Sequence, residues 1–263
     1  MFIRGFYNSA QAMIVKQREL DAIANNIDNV NTSGFRKERV TLNTFQDELI
    51  WVQKRKATHS GTFQQTYVDE GHTLLENGGL EFTDSRFDVA IWGDVYFNVT
   101  DRNGATFNTR AGQFELDNEG YLTLGSSGRV QGQNGGIFIG HDDFVINTRG
   151  EIYTSRIETD ENGVPTEIVE YIDRLLLTYI PSDANVRKIS NNLFAHDGAG
   201  TDVLPDGLSF SIIQGAFEKS NVDPNREVSK MMEIQRLFEA NSVILKGFDM
   251  INSRTSDMAN ISG

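Results

Sequence analysis

Ile3, Phe6, Ala10, Met13, Gln17, Leu20, Ala24 and Ile27 are spaced alternately by three and four residues, and all but Gln17 are apolar. Side chains so spaced share one face of an α-helix. Tyr7, Ile14, Ile23 and Val30 widen that face, while Arg4, Lys16, Arg18, Glu19 and Asp21 fall mostly elsewhere. The helix is expected to fade through Asn25, Asn26 and Asn29 and to stop near Asn31-Thr32-Ser33-Gly34, where Gly supplies a left-handed residue. At 1.5 Å per residue this is a rod of roughly 40 Å. A second such stretch closes the chain. Met231, Ile234, Phe238, Leu245 and Phe248 keep the three-four pattern, broken at Asn241, and Leu237, Ile244, Ile251 and Met258 run beside it at intervals of seven. Asp223-Pro224 is a helix start: Asp accepts free N–H groups and Pro is preset for the first turn. A sustained seven-residue repeat argues for helix-on-helix packing. Two helices covering an ordinary core fit the same periodicity.

Between the helices the pattern changes. Val95, Phe97 and Val99 alternate with Tyr96, Asn98 and Thr100, as in a half-buried strand. Phe114 with Leu116, Leu122 with Leu124, and Ile137 with Ile139 repeat it, Glu167 to Ile180 is a longer apolar run, and Leu208 to Ile213 reads as the last strand. Asp101-Arg102-Asn103-Gly104, Asp117-Asn118-Glu119-Gly120 and Asp160-Glu161-Asn162-Gly163 punctuate these runs as hairpin turns. Thr41 to Val52 suits a short helix or strand, and residues 57–80 look extended. The predicted class is α+β: long N- and C-terminal helices packed together in a coiled-coil-like manner, with a mainly antiparallel β middle domain. The predicted boundaries are an N-terminal helix over 1–33, an extended connector over 34–80, a β domain over 81–215 and a C-terminal helix over 216–263.

Composition narrows the function. Only 38% of the 263 residues are hydrophobic, so an isolated chain has little core for its length. A net charge of -13 disfavours nucleic acid, which needs a basic footprint. Lys54-Arg55-Lys56 reads as a solvated loop. No apolar run approaches a bilayer span, so no membrane insertion is expected, and the N-terminus lacks the form of a secretory signal. With no cysteine, thiolate and disulfide chemistry are absent. His59, His72, His141 and His196 are too scattered for a local metal motif. The Asp-rich turns lack the ligand series of a calcium loop. Asp84, Asp88 and Asp94 could be arranged for glycoside hydrolysis, but close pairs arise by chance among 37 acidic residues. The glycines at 128, 132, 135, 136 and 140 make no phosphate loop, and there is no nucleophile elbow. No catalytic, cofactor or metal residue is predicted.

Leu20-x-x-x-Ala24-Asn25-Asn26-Ile27-x-Asn29-x-Asn31-Thr32-x-Gly34-Phe35 resembles the N-terminal signature of bacterial flagellar axial proteins. Three further stretches resemble family segments: Phe87 to Phe97, containing Gly93-Asp94; Thr109-Arg110-Ala111-Gly112-Gln113-Phe114; and Ser220-Asn221-Val222-Asp223-Pro224 with Met232, Gln235-Arg236 and Phe238-Glu239. Asp28 and Trp92 depart from the family pattern. The middle segments resemble basal-body rod proteins of the FlgF and FlgG type, and Phe238 with Asp223-Pro224 leans towards the proximal-rod FlgF type, with the distal-rod FlgG type close behind.

The resemblance implies a structural, non-enzymatic subunit of a helical drive shaft that transmits torque to the hook. It implies contacts with copies of itself, with other rod and hook proteins and with the flagellar export apparatus. It also implies a place in the basal body outside the cytoplasm, reached without a cleaved signal. The expected assembly contacts are Phe6, Met13, Leu20, Asn25, Asn26, Ile27 and Asn31 at one end, and Met231, Phe238, Leu245 and Phe248 at the other. The Asn residues either satisfy backbone groups at the helix end or merely terminate it. The competing expectation is an all-β periplasmic enzyme or a glycan-binding module.

Overall fold

The N-terminal stripe winds into helix α1, Phe2–Asp28, and the C-terminal stripe into α2, Pro224–Ile261. The computed structural model describes residues 2–44, 66–159, 165–181, 186–190, 192–196 and 209–261. Lys54-Arg55-Lys56, His59 and the turn at Gly163 lie outside the described residues. The chain divides into two compact units. The first is Met1–Asp28, Glu38–Leu74 and Val222–Gly263; the second is Asn29–Lys37 with Leu75–Asn221.

In the first unit, α1 packs on α2 and on the antiparallel pair β1, Glu38–Thr44, and β2, Thr66–Thr73. The stretch expected to be an extended connector therefore contributes a β-ladder to the helical unit. Leu42 pairs with Val68 and Thr44 with Thr66, a non-local register that local periodicity does not encode. Asp223 starts α2 as expected: its Oδ1 accepts the N–H groups of Asn225 at 3.0 Å and Arg226 at 3.3 Å. Helix α1 ends at Asp28, sooner than expected. Gly34 does have a left-handed φ of 65°, but six residues beyond the helix. Its role is close approach, since a Cβ there would lie 2.2 Å from the Ala111 backbone nitrogen.

The second unit is antiparallel in each described pairing, as expected. In order its strands are β3 (Leu80–Phe82), β4 (Val89–Trp92), β5 (Val95–Thr100), β6 (Thr106–Thr109), β7 (Glu115–Leu116) and β8 (Leu122–Thr123). Next come β9 (Arg129–Gly132), β10 (Gly135–Gly136), β11 (Phe144–Ile146), β12 (Glu151–Thr159), β13 (Pro165–Arg174) and β14 (Leu177–Tyr179). The last are β15 (Val186–Lys188), β16 (Leu193–His196), β17 (Ser211–Gln214) and β18 (Ala216–Glu218). Among the described residues the largest sheet runs β15-β16-β6-β5-β9-β8-β7, with β14 and β10 attached at its sides. The Glu167 to Ile180 run splits into β13 and β14 around Leu175-Leu176, and the last strand is β18, beyond Ile213.

One apolar cluster organises this unit. Val95, Phe97 and Val99 of β5 pack with Val89, Phe114, Leu122, Ile137, Phe144, Ile152 and Ile212. Phe97 and Phe114 meet edge to face at 5.1 Å. Each fully buried large side chain contributes about 1.5–3 kcal/mol. The alternation in β5 predicts one buried face, but both are buried. Tyr96 joins Phe194 and Ile180 in a second cluster, and Asn98 accepts from Asn108 Nδ2 through its Oδ1 and donates through its Nδ2 to the Thr178 hydroxyl. Polar residues on a central strand need such partners.

The hairpin turns form by a mechanism different from an Asn-Gly pair. Asp101 Oδ1 accepts the N–H groups of Asn103 and Ala105, and Asp117 Oδ1 those of Glu119 and Tyr121. Asn147 repeats the arrangement with Arg149 and Glu151. In each turn the Gly three residues on has positive φ, and Asn103 does not. The signal is Asp/Asn-x-x-Gly, in which the first side chain closes the turn.

Candidate assembly interface

Helices α1 and α2 pack on each other, and burial follows the three-four stripe only in part. Val15 and Ile23 of α1 and Ile234 of α2 are buried; Met13, Leu20, Ile27, Met231, Phe238, Leu245 and Phe248 are half-buried. Phe6 is exposed, as are Asn25 and Asn31. Among the expected contact residues only Asn26 is fully buried, and it does more than end the helix. Its Nδ2 donates to Glu38 O at 2.9 Å while its Oδ1 accepts the Glu38 N–H at 2.8 Å, so one amide pairs with a strand backbone. The same Nδ2 reaches Glu227 Oε2, 3.3 Å away in the first turns of α2. The end of the first helix is thereby joined to the start of the last.

A different set of apolar side chains points outward. Tyr7 and Ile14, seven residues apart on α1, are 56% and 61% exposed. On α2 the series Leu237, Ile244 and Ile251 is exposed, and so are Val243 and Met250 beside it. Beyond Ile234 no side chain of α2 is fully buried among the described residues. The sequence did carry this signal, since the seven-residue series runs beside the main stripe. The stripe itself is largely consumed by packing within the chain.

The family-like segments of the second unit converge on one buried carboxylate. Glu218 of β18 accepts from Arg36 Nη1 at 2.7 Å and from Arg110 Nη1 at 3.3 Å, with all three side chains at most 1% exposed. Gly78 N–H donates to Glu218 Oε1 at 2.7 Å. Arg36 also donates to Glu76 O and to Asn77 Oδ1, and Arg110 to Gly93 O at 2.5 Å, while its guanidinium lies over the Tyr96 ring. Burial, chiefly, and the like charge of Arg36 lower the Arg110 pKa against the pull of Glu218. Arg110 follows from the Thr-Arg-Ala-Gly segment; Glu218 was missed, because a lone Glu at a strand end carries no pattern. Gly112 completes this region: a Cβ there would lie 1.7 Å from Val89 O. Trp92 is exposed, which explains why a departure from the family pattern is tolerated there.

Among the described residues no group of three or more His, Asp or Glu side chains could hold a metal. Asp88 accepts the Thr83 hydroxyl at 2.7 Å, while Asp84 and Asp94 are exposed. His141 Nε2 sits 2.9 Å from the Thr154 hydroxyl. No described helix is long and apolar enough to cross a membrane.

Three family models match the chain. "Flagella basal body rod protein" covers residues 6–36, "Flagellar hook protein FlgE/F/G D1 domain" residues 90–154, and "Flagellar basal body rod FlgEFG protein C-terminal" residues 213–258. The chain is 32% identical to the flagellar basal-body rod protein FlgG of Bacillus subtilis over 95% of its own length and 96% of the relative's. It is 29% identical to the FlgG of Caulobacter vibrioides over 95% and 97%, and 29% identical to the FlgF of the same organism over 89% of each chain. The FlgG matches thus span more of the chain than the FlgF match, against the lean given by Phe238 and Asp223-Pro224. In this chain those residues fill general helical roles, a half-buried contact and an N-cap. The terminal helices, the shared central domain and the full-length match to FlgG together place this chain in the flagellar basal-body rod protein family.

Proposed function

We propose that this structural rod subunit polymerises through the outward apolar faces of its terminal helices. The protein is not an enzyme; its family is structural. Phe6, Tyr7 and Ile14 on α1, with Leu237, Val243, Ile244, Met250 and Ile251 on α2, dock on helices of neighbouring subunits in a coiled-coil-like seam. The half-buried stripe of Met13, Leu20, Ile27, Met231, Phe238, Leu245 and Phe248 sets the spacing of the pair within each subunit, and Asn26 fixes where it begins. Asn25 and Asn31 lie at the seam's rim. The neighbours are further copies and other rod and hook proteins, and the subunit reaches its place outside the cytoplasm through the flagellar export apparatus. A FlgG-type position fits better than a FlgF-type one, on the wider span of the FlgG matches.

The observation that carries the reading is the exposed seven-residue series Leu237, Ile244, Ile251 on a helix that buries little within its own chain. Large exposed apolar patches mark interaction surfaces. Ile14→Asp and Ile244→Asp test it. Each places a charge where apolar contact is required, at a position already exposed in the monomer. Monomer stability is expected to change by no more than about 0.5 kcal/mol, while sedimentable polymer and motility are lost. Normal polymer from either variant would overturn the reading.

A further inference from the structure

We propose that Asn77-Gly78 is a self-modifying site, at which the folded protein catalyses deamidation of its own Asn77. The two residues lie between the first unit's last described strand and β3. Their surroundings supply the parts of an intramolecular acyl transfer. The nucleophile is the Gly78 backbone nitrogen, which lies 2.7 Å from Glu218 Oε1 and donates its proton to it. The electrophile is the Asn77 side-chain amide carbon, whose Oδ1 accepts from Arg36 Nη2 at 3.1 Å. A base within hydrogen-bond reach of the proton it takes, and a cation at the oxygen where negative charge develops, are the two contributions such a reaction needs. The segment is also held in place. Glu76 O accepts from both Arg36 Nη1 and Asn221 Nδ2. A Cβ at residue 78 would lie 2.0 Å from Lys219 O, so the packing itself requires glycine after Asn77.

The step balances without a redox partner. As the Gly78 nitrogen bonds to the Asn77 Cγ, its proton passes to Glu218, and the tetrahedral oxyanion is held by Arg36. Collapse expels the side-chain nitrogen as ammonia, which takes the proton back from Glu218, leaving a five-membered succinimide. Asn77 is exposed, so water enters and opens the ring at one of its two carbonyls. The products are an ordinary aspartate or a β-linked isoaspartate. The aspartate product has a structural benefit. Arg36, Arg110 and Glu218 carry one more positive than negative charge among themselves, and a carboxylate at 77 would stand beside Arg36 Nη2.

Two of the three other Asn-Gly pairs in the sequence, Asn103-Gly104 and Asn134-Gly135, act as internal references. At Asn103 the Gly104 N–H is held by a carbonyl, Asp101 O, and at Asn134 the side chain donates through Nδ2 to Asp173. The experiment incubates the full chain at neutral pH, natively and in urea. It follows Asn77 and the two reference pairs by peptide mass mapping, with isoaspartate detected by enzymatic carboxyl methylation. In urea the three pairs should react alike. In the native chain Asn77 is expected to convert about tenfold faster than in urea, below the range a positioned base typically contributes, while the references show no acceleration. A native Asn77 rate equal to or below the urea rate would overturn the proposal, with no variant required. Glu218→Gln keeps an acceptor for Gly78 but cannot take the proton, so its acceleration should vanish. Persistence in a Glu218→Gln chain shown folded by hydrogen exchange would equally overturn it. If that variant does not fold, Arg36→Lys provides the second arm, with conversion slowed towards the urea rate.

Discussion

Replacing Glu218 by Leu would leave the Arg36 and Arg110 guanidiniums buried together without their shared carboxylate. Both are at most 1% exposed, so solvent cannot take over the lost charge. The two ion pairs and the Gly78 hydrogen bond disappear, and the repulsion between the two arginines is no longer offset. Removing one member of a buried charge group costs about 3–5 kcal/mol. At about 2–4 °C per kcal/mol for a domain of this size, the thermal midpoint should fall by about 6–20 °C. Differential scanning calorimetry measures the fall, and hydrogen exchange at β4, β5 and β18 locates it. Replacing all three residues by apolar ones of similar volume, Arg36→Met with Arg110→Met and Glu218→Leu, should recover most of the loss, since it removes the desolvated charges together. A loss under about 1 kcal/mol in Glu218→Leu alone would refute the argument, because the arginines would then be paired or solvated in some other way.

Other expectations concern single positions. Gly112→Ala should prevent folding of the second unit, because its Cβ meets Val89 O, whereas Gly104→Ala, strained only by its φ of 85°, should cost about 1–2 kcal/mol; soluble yield and thermal midpoint separate the two. Asn26→Leu removes the amide that pairs with the Glu38 backbone and should cost about 1–3 kcal/mol, read as faster hydrogen exchange in the last turns of α1 and in β1. The Asp101 carboxyl is lowered by the Ala105 and Asn103 N–H groups, and Glu151 by Asn147 and Tyr153. Each contribution is therefore present above the ordinary carboxylate range and lost as pH falls through the lower folded value; exchange at Ala105 and Glu151 should accelerate only in acid, and Asp101→Asn should blunt that dependence. In the monomer, amides of α2 beyond Ile234 should exchange faster than those around Glu227, since isolated helix is marginal without packing, and uniform protection along α2 would count against this expectation.

The helices were legible because a period near 3.6 is a local property, readable from Ile3 to Ile27 and from Met231 to Phe248 without knowing what they touch. The hairpins were legible for the same reason, although the side chain that closes each turn is its first Asp or Asn rather than Asn103. Register was not legible. Nothing local tells Glu38–Thr44 to seek Thr66–Thr73, or tells Tyr96 that Phe194 and Ile180 will pack on it and Asn98 that Asn108 of β6 and Thr178 of β14 will pair with it. The interface was half legible. Apolar spacing finds every side chain that avoids water, but only packing decides which of them the chain satisfies itself. Met13 and Phe238 are largely satisfied within the chain; Ile14 and Ile244 are not.

The residues by which the chain enters and leaves the second unit are fastened to each other. Gly34 N–H donates to Glu218 O at 2.8 Å, Lys37 N–H to Asn221 Oδ1 at 2.7 Å, and Arg36 pairs with Glu218. In polymer terms the main stretch of that unit, Glu76 to Asn221, is a closed loop whose ends are already clasped, since Asn221 Nδ2 donates to Glu76 O at 2.9 Å and Gly78 N–H to Glu218 Oε1 at 2.7 Å. Loop-closure entropy grows only logarithmically with length, so doubling such an insert costs about 0.6 kcal/mol. The contour length between the clasped ends is nearly decoupled from the terminal helices. A flexible insertion at the exposed turn after Asp101 should therefore leave the helices' exchange unchanged, and a loss of their protection would show the decoupling to be false. A lineage could lengthen or shorten this loop while the helical ends kept one fixed spacing.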